Sequence, residues 1–266
     1  MTRRRRIVYT PHMLQLLKKR PQPKAGRVER WTLLEIDDQH VDVRILENPR
    51  TSRLTLRLVP ASKTGESLKL TVPPGTPDGE IDDFLKRHRN WAAARLSRMP
   101  EVTRLIDGAI IPLRGVPHRI MHSGLGRGVV SIGMEEDGKV IRVVGDPKFL
   151  PRKVQDFLKR QARQDLSKAV AIHAAALAVK PKSITLRDTT SRWGSCSSSG
   201  ALNFSWRIIL APPEVLNYLA AHEVAHLREM NHSDRFWSLV EDICPDMEPQ
   251  KAWLRTHGAK LHAIVA

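Results

Sequence analysis

His222 and His226 stand four residues apart, Glu223 follows the first of them, and His232 comes six residues after the second. On a helix, residues four apart share one face, so a single metal ion can reach both imidazoles. Glu223 lies one step round, where its carboxylate reaches a metal-bound water without taking a ligand position. The H-E-x-x-H pattern therefore predicts a helix that carries two neutral nitrogen ligands and a general base. It also predicts a reversal: His232 cannot share that face if the helix runs on, so the helix has to end near Leu227. Three protein ligands leave a fourth position for water, the arrangement of a catalytic rather than a structural zinc.

The flanking residues fit such a helix. Pro212-Pro213-Glu214 suits a start, and Val215, Leu216, Leu219, Val224 and Leu227 recur at helical spacing as a buried stripe. Tyr218 shares the face of His222, as a lining or core residue. His232 is the leading third ligand. Glu241 and Glu248 are the alternatives, because thermolysin-type enzymes use a downstream glutamate. Metzincins share the three-histidine spacing but turn the chain at a glycine, where this sequence has Glu229. Asn231, which tolerates a left-handed conformation, is then the expected turn residue, and Asp234 the expected cap of the next helix.

Two strand-like arms precede the helix. Arg192-Trp-Gly-Ser-Cys196 and the stretch from Gly200 to Ala211 predict a hairpin turning at Ser197-Ser-Ser-Gly200. A strand beside a metal helix can hold an extended peptide by backbone pairing, with its carbonyl over the metal. Trp193, Gly194, Ser195 and Asn203 are the substrate-binding candidates, with core packing the competing role for the tryptophan.

These residues carry a resemblance. Arg192-Trp-Gly-Ser-Cys196, Asn203, His222-Glu-Val-Ala-His226, Asn231-His232-Ser233, Phe236-Trp237 and Trp253-Leu254 resemble the YgjP-like metallopeptidases, relatives of the SprT-like and Wss-type (WLM) proteases. The likeness is strongest from Pro151 to Leu261 and weaker upstream. It implies a zincin-like core, zinc (Zn2+) on His222, His226 and His232, and Glu223 as base. The expected reaction is hydrolysis of a peptide bond by metal-activated water, with Glu223 passing the proton to the leaving nitrogen. Tyr218, Arg192, Arg255 and His257 are the candidates for a second oxyanion donor.

Net charge widens the choice of partners. The chain carries +16, yet the segment from Pro213 to Glu248 holds eight acidic and two basic residues, leaving +22 on the remainder. A basic surface away from the metal helix can meet nucleic acid or another polyanion. Alternatives to a plain peptidase are therefore a nucleic-acid-associated protease acting on DNA-bound proteins, a hydrolase of other amides or esters, and a non-catalytic zinc-containing nucleic-acid-binding protein. Two cysteines do not make a disulfide framework, and no signal peptide is evident, so a cytoplasmic location is expected. No apolar run reaches the length of a membrane helix.

The expected organisation is α+β, with a β-rich N-terminal part ahead of a compact zincin-like C-terminal metallopeptidase domain. Residues 1–30, with ten basic and one acidic residue, predict a flexible arm. Residues 31–146 form the β-rich region, with alternating strands over 41–45, 54–58 and 68–72, one helix over 78–98, and further strands over 110–120 and 129–144. Residues 147–266 form the metallopeptidase domain, opened by a long helix from Pro151 and closed by one over 249–261. No internal repeat is evident, and the two β-rich stretches suit one sheet.

Overall fold

A computed structural model describes residues 29–37, 39–59, 67–189 and 192–266. The basic clusters of the expected N-terminal arm, Arg3 to Arg6 and Lys18 to Arg20, lie outside the described residues. The chain divides into two units after Arg98.

In the first unit, strands β1 (Glu29–Ile36), β2 (Gln39–Glu47), β3 (Thr55–Leu58) and β4 (Leu68–Val72) form a sheet in the order β1-β2-β4-β3. The outer pairs are antiparallel and the central β2–β4 pair is parallel. Alternation sets its buried face: Leu68, Leu70 and Val72 have no exposed surface, while Lys69 and Thr71 are half-buried. Helix α1 (Asp78–Arg87) closes this core with Ile81 and Leu85. The single helix expected over 78–98 is two. His88 leaves helical geometry, its backbone N–H shared between Phe84 O and Leu85 O and its ring Nδ1 on Phe84 O at 2.8 Å, and α2 (Arg89–Leu96) starts anew.

In the second unit, β5 (Thr103–Arg104) is followed by β6 (Ile110–Leu113), β7 (Val116–His122), β8 (Ser131–Glu135) and β9 (Gly138–Val143). The last four form a sheet ordered β6-β7-β9-β8, again antiparallel, parallel, antiparallel. Helix α3 (Leu150–Ala176) comes next. This corrects two expectations. The β-rich stretches form two sheets rather than one, and they repeat one topology. Asp83-Phe-Leu-Lys-Arg87 in α1 recurs as Asp156-Phe-Leu-Lys-Arg160 in α3, each in the first α-helix to come after its sheet. Leu85 and Leu158 are both buried in the core beside their own sheet.

The expected boundary at Asp146-Pro147 is also displaced. Ile111, Ile120, Ile141 and Val143 of the second sheet share one core with Leu150, Val154 and Leu158 of α3, and with the metal helix. Cutting there would split a continuous apolar core, so this sheet and the helices C-terminal to it form one domain.

Among the described residues, four strands and three helices complete the unit. β10 (Ser183–Arg187), β11 (Gly194–Cys196) and β12 (Ala201–Ser205) form a sheet ordered β10-β12-β11, leaving β11 at an edge. The hairpin turns at Ser197–Gly200 as expected, closed by Gly200 N–H to Ser197 O at 2.8 Å. Its second arm is shorter than expected: Trp206–Leu210 winds into a 3-10 turn, all five residues buried. Such a run has no alternation, so its apolar residues satisfy a buried turn as well as a strand. Helices α4 (Pro213–Ala225), α5 (Asp234–Ile243) and α6 (Met247–His262) come after it, and β13 (Ile264–Val265) pairs with β5.

The entry into α4 is braced from outside. The β6–β7 turn is a two-residue loop with Arg114 and Gly115 both at positive φ, 53° and 74°. Their backbone N–H groups bond Ile209 O and Leu210 O, and the Arg114 guanidinium grips both Asp165 oxygens on α3, at 2.7 and 3.0 Å. Across the helix pair, His173 of α3 bonds Asn217 of α4 at 2.9 Å. Among the described residues no helix is long and apolar enough to cross a membrane.

Candidate metal centre

Helix α4 stops where the sequence requires. The N–H of Leu227 bonds Val224 O, and those of Arg228 and Glu229 both bond Ala225 O, which tightens the last turn. The chain then doubles back through residues 229–233 with no residue at positive φ, so Asn231 makes no left-handed turn. Nor is Asp234 the cap of α5: Ser233 is, its hydroxyl accepting the Phe236 N–H at 3.4 Å. Ser233 sits one residue earlier, in the extended conformation an N-cap needs.

The reversal brings His232 to the other two histidines. One nitrogen from each of His222, His226 and His232 lies within 4.8 Å of the others, and Nε2 of His222 and His232 are 3.2 Å apart. His226 donates Nδ1–H to Glu229 O at 3.1 Å, which fixes its ring and leaves Nε2 free. Glu241 and Glu248 are not in the cluster, and Glu248 pairs with Lys251 at 3.0 Å. Phe236, fully buried, packs against all three imidazoles, stacked on His226 at 4.4 Å and edge-on to His222 and His232 at 4.9 and 4.8 Å. Sequence reasoning places Phe236 only inside the family pattern. Its position in the first turn of a capped helix just after His232 is the available signal.

Burial governs the charge states. It pushes His222 down to about 3, helped by His226 and His232 nearby, and lowers His226 as well, so both imidazoles are held neutral. Glu223 is 4% exposed, and burial pushes its carboxyl up to about 8 against the pull of Arg192. Its Oε2 is buried with no hydrogen-bond partner among the described residues. A buried carboxyl of raised proton affinity, with one oxygen unclaimed, is suited to taking and returning a proton.

The hairpin meets this carboxyl at Gly194, where a Cβ would overlap Glu223 Oε1 and Cδ. Only glycine lets β11 lie that close. Trp193, Gly194, Ser195 and Asn203 line one cleft of about 290 Å³ with Arg187 and Arg192. Trp193 is held from behind by the stacked ring of His262, 4.1 Å between centroids, and by Gly258, where a Cβ would stand 3.0 Å from its indole nitrogen. Cys196 is half-buried, and burial raises its thiol, as expected of a packed cysteine. Of the oxyanion candidates, Tyr218 is buried with its ring 6.0 Å from that of His222 and its hydroxyl pushed up to about 12. His257 stacks on Trp253 in a separate apolar pocket that contains none of the site residues.

A buried acid beside three converging imidazoles is the equipment of a metal-dependent hydrolase. The family described as YgjP-like, metallopeptidase domain, matches residues 55–257, and the chain is a metallopeptidase. That match spans well over half the sequence, and the protein belongs to the YgjP-like family. Solved structures similar to part of the chain include the metallopeptidase zymogen abylysin of Pyrococcus abyssi, at 20% identity and TM-score 0.32, over 38% of this chain and 99% of that one. Another is the metallopeptidase zymogen jannalysin of Methanocaldococcus jannaschii, at 17% identity and TM-score 0.31, over 35% of this chain and 94% of that one. No curated protein sequence matches this chain.

Proposed function

We propose that the protein is a zinc-dependent peptidase in which His222, His226 and His232 hold the ion and Glu223 is the general base. The observation that carries this reading is the meeting of three imidazoles, two of them held neutral by burial, beside a buried carboxyl with a free oxygen. One donor pair matches the ion closely: two nitrogens sharing a tetrahedral zinc lie about 3.3 Å apart, Nε2 of His222 and His232 are at 3.2 Å, and the His226 nitrogen lies within 4.8 Å of both. Zinc on three neutral nitrogens acidifies water and polarises a carbonyl oxygen.

The remaining work falls to the chain. The peptide pairs with the free edge of β11, which brings its carbonyl across the histidines beside Gly194. Glu223 takes the proton of the attacking water at Oε2 and delivers it to the departing nitrogen. Burial raises its affinity for that proton, and Gly194 seals the carboxyl from one side. Arg192 acts on the same carboxyl and limits how far its proton affinity climbs.

Removal and return of the metal tests the reading. Chelation should abolish cleavage of an unfolded protein substrate, and one equivalent of zinc should restore it. Cleavage that persists in fully metal-free protein contradicts it.

A further inference from the structure

The three-stranded sheet turns two kinds of residue to its two faces. Leu202, Phe204 and Ile184 lie in or against the core, and Gly194 faces Glu223. Ser195 pairs with Asn203, Asn203 with Thr185, and Ser205 with Arg187, so these side chains belong to the opposite face. The cleft beside Gly194 lies over that face, lined by Arg187, Thr189, Arg192, Trp193, Ser195 and Asn203.

Its described lining holds two arginines and no acidic residue. Arg187 donates Nε–H to Asn203 at 3.3 Å. Among the described residues neither Arg187 nor Arg192 has a carboxylate within ion-pair distance, and the neighbouring Asp188 is paired with the buried Arg207. Two guanidiniums therefore line a small cleft, and the fork of a guanidinium matches a carboxylate in paired hydrogen bonds. Two contacts brace its described lining. Thr189 donates its hydroxyl to Arg192 O at 2.8 Å, and His262 stacks behind Trp193. A peptide paired along β11 alternates its side chains between the two faces, so every second one turns towards these arginines.

We propose that this cleft is an acidic subsite, in which a carboxylate of the bound peptide docks between Arg187 and Arg192. The inference rests on the peptidase reading above and adds the class of substrate: acidic peptides. The carboxylate comes either from an Asp or Glu side chain or from the free C-terminus of a short peptide, and both present the same two oxygens.

Binding to the zinc-loaded Glu223→Gln protein tests the subsite apart from turnover. Three labelled probes are compared by fluorescence anisotropy: a neutral amidated peptide, a set in which one Glu is walked along that peptide, and the neutral peptide with a free carboxyl end. The expected result is at least about tenfold tighter binding of one acidic probe over the neutral amide. The probe that gains identifies the source of the carboxylate. Arg187→Gln and Arg192→Gln should each bring that ratio towards one, and Arg192→Lys should restore part of it. Equal or undetectable binding of all three probes overturns the proposal, as does a preference that survives both Arg→Gln substitutions. Failure of the peptidase reading shows elsewhere, as cleavage that survives Glu223→Gln.

Discussion

Gly194 is the residue whose replacement reports most directly on Glu223. The methyl of Gly194→Ala would overlap the carboxyl, so either the strand or the acid moves. Overpacking of this kind costs about 1–3 kcal/mol of stability. Peptide cleavage should fall at least about tenfold while zinc content stays at one per chain, because the three atoms nearest the added methyl all belong to Glu223. Unchanged kcat/KM would mean that the acid is not positioned by this contact. At this scale the sequence is legible where chemistry fixes spacing. His222, Glu223 and His226 occupy one turn of helix, so their proximity is a matter of local geometry. The Gly194–Glu223 contact joins strand and helix across distant positions, and no local pattern records it.

Helix α5 controls the third imidazole. Ser233 caps it directly after His232, and Phe236 in its first turn fills the space between the three rings. Phe236→Ala should destabilise the protein by about 3–5 kcal/mol and weaken zinc binding, since the ring orientations lose their common support. Denaturant unfolding and a zinc competition titration check the two effects. Full zinc affinity in the variant would show that the histidines hold their geometry without the ring. Elements with strict alternation, such as β4, are readable from the sequence. The run Trp206–Leu210 is not, because all five residues are buried and neither helical nor strand period stands out. The turn at 229–233 is equally hidden. Hydrogen bonds from three successive N–H groups back into α4 end the helix there without a left-handed residue.

Across the whole molecule, one topology appears twice, in the sheet ahead of α1 and the sheet ahead of α3, and only the second shares its core with the metal helix. The repeat is not evident in the sequence because strand pairing order leaves little trace in composition. Its clearest sign, the shared Asp-Phe-Leu-Lys-Arg, becomes meaningful once both copies are seen to come after equivalent strands. The second unit is also tied at its end. Arg207 is buried, pairs with Asp188 and donates Nε–H to Ile264 O at 3.1 Å, and His262 stacks on Trp193 nearby. Burial, then Arg207, lower His262 to about 4, with Asp188 opposing. The imidazole is therefore neutral in the fold, while in the unfolded chain it takes a proton below about 6.5. As pH falls from about 6.5 to 4 the unfolded chain gains that proton first, and up to about 3 kcal/mol of stability is lost through this group. In metal-free protein, His262→Phe keeps a stacked ring and should show a shallower loss over that window in urea unfolding. Identical pH profiles for variant and parent would assign the acid sensitivity to other groups.

The most direct measurement takes cleavage rate and zinc content from the same samples of parent and Glu223→Gln protein. Retained zinc, at one per chain, with cleavage reduced more than about a hundredfold is the result expected of a general base beside a three-histidine site. Cleavage near the parent rate would contradict the role given to Glu223, and with it the central reading of the site.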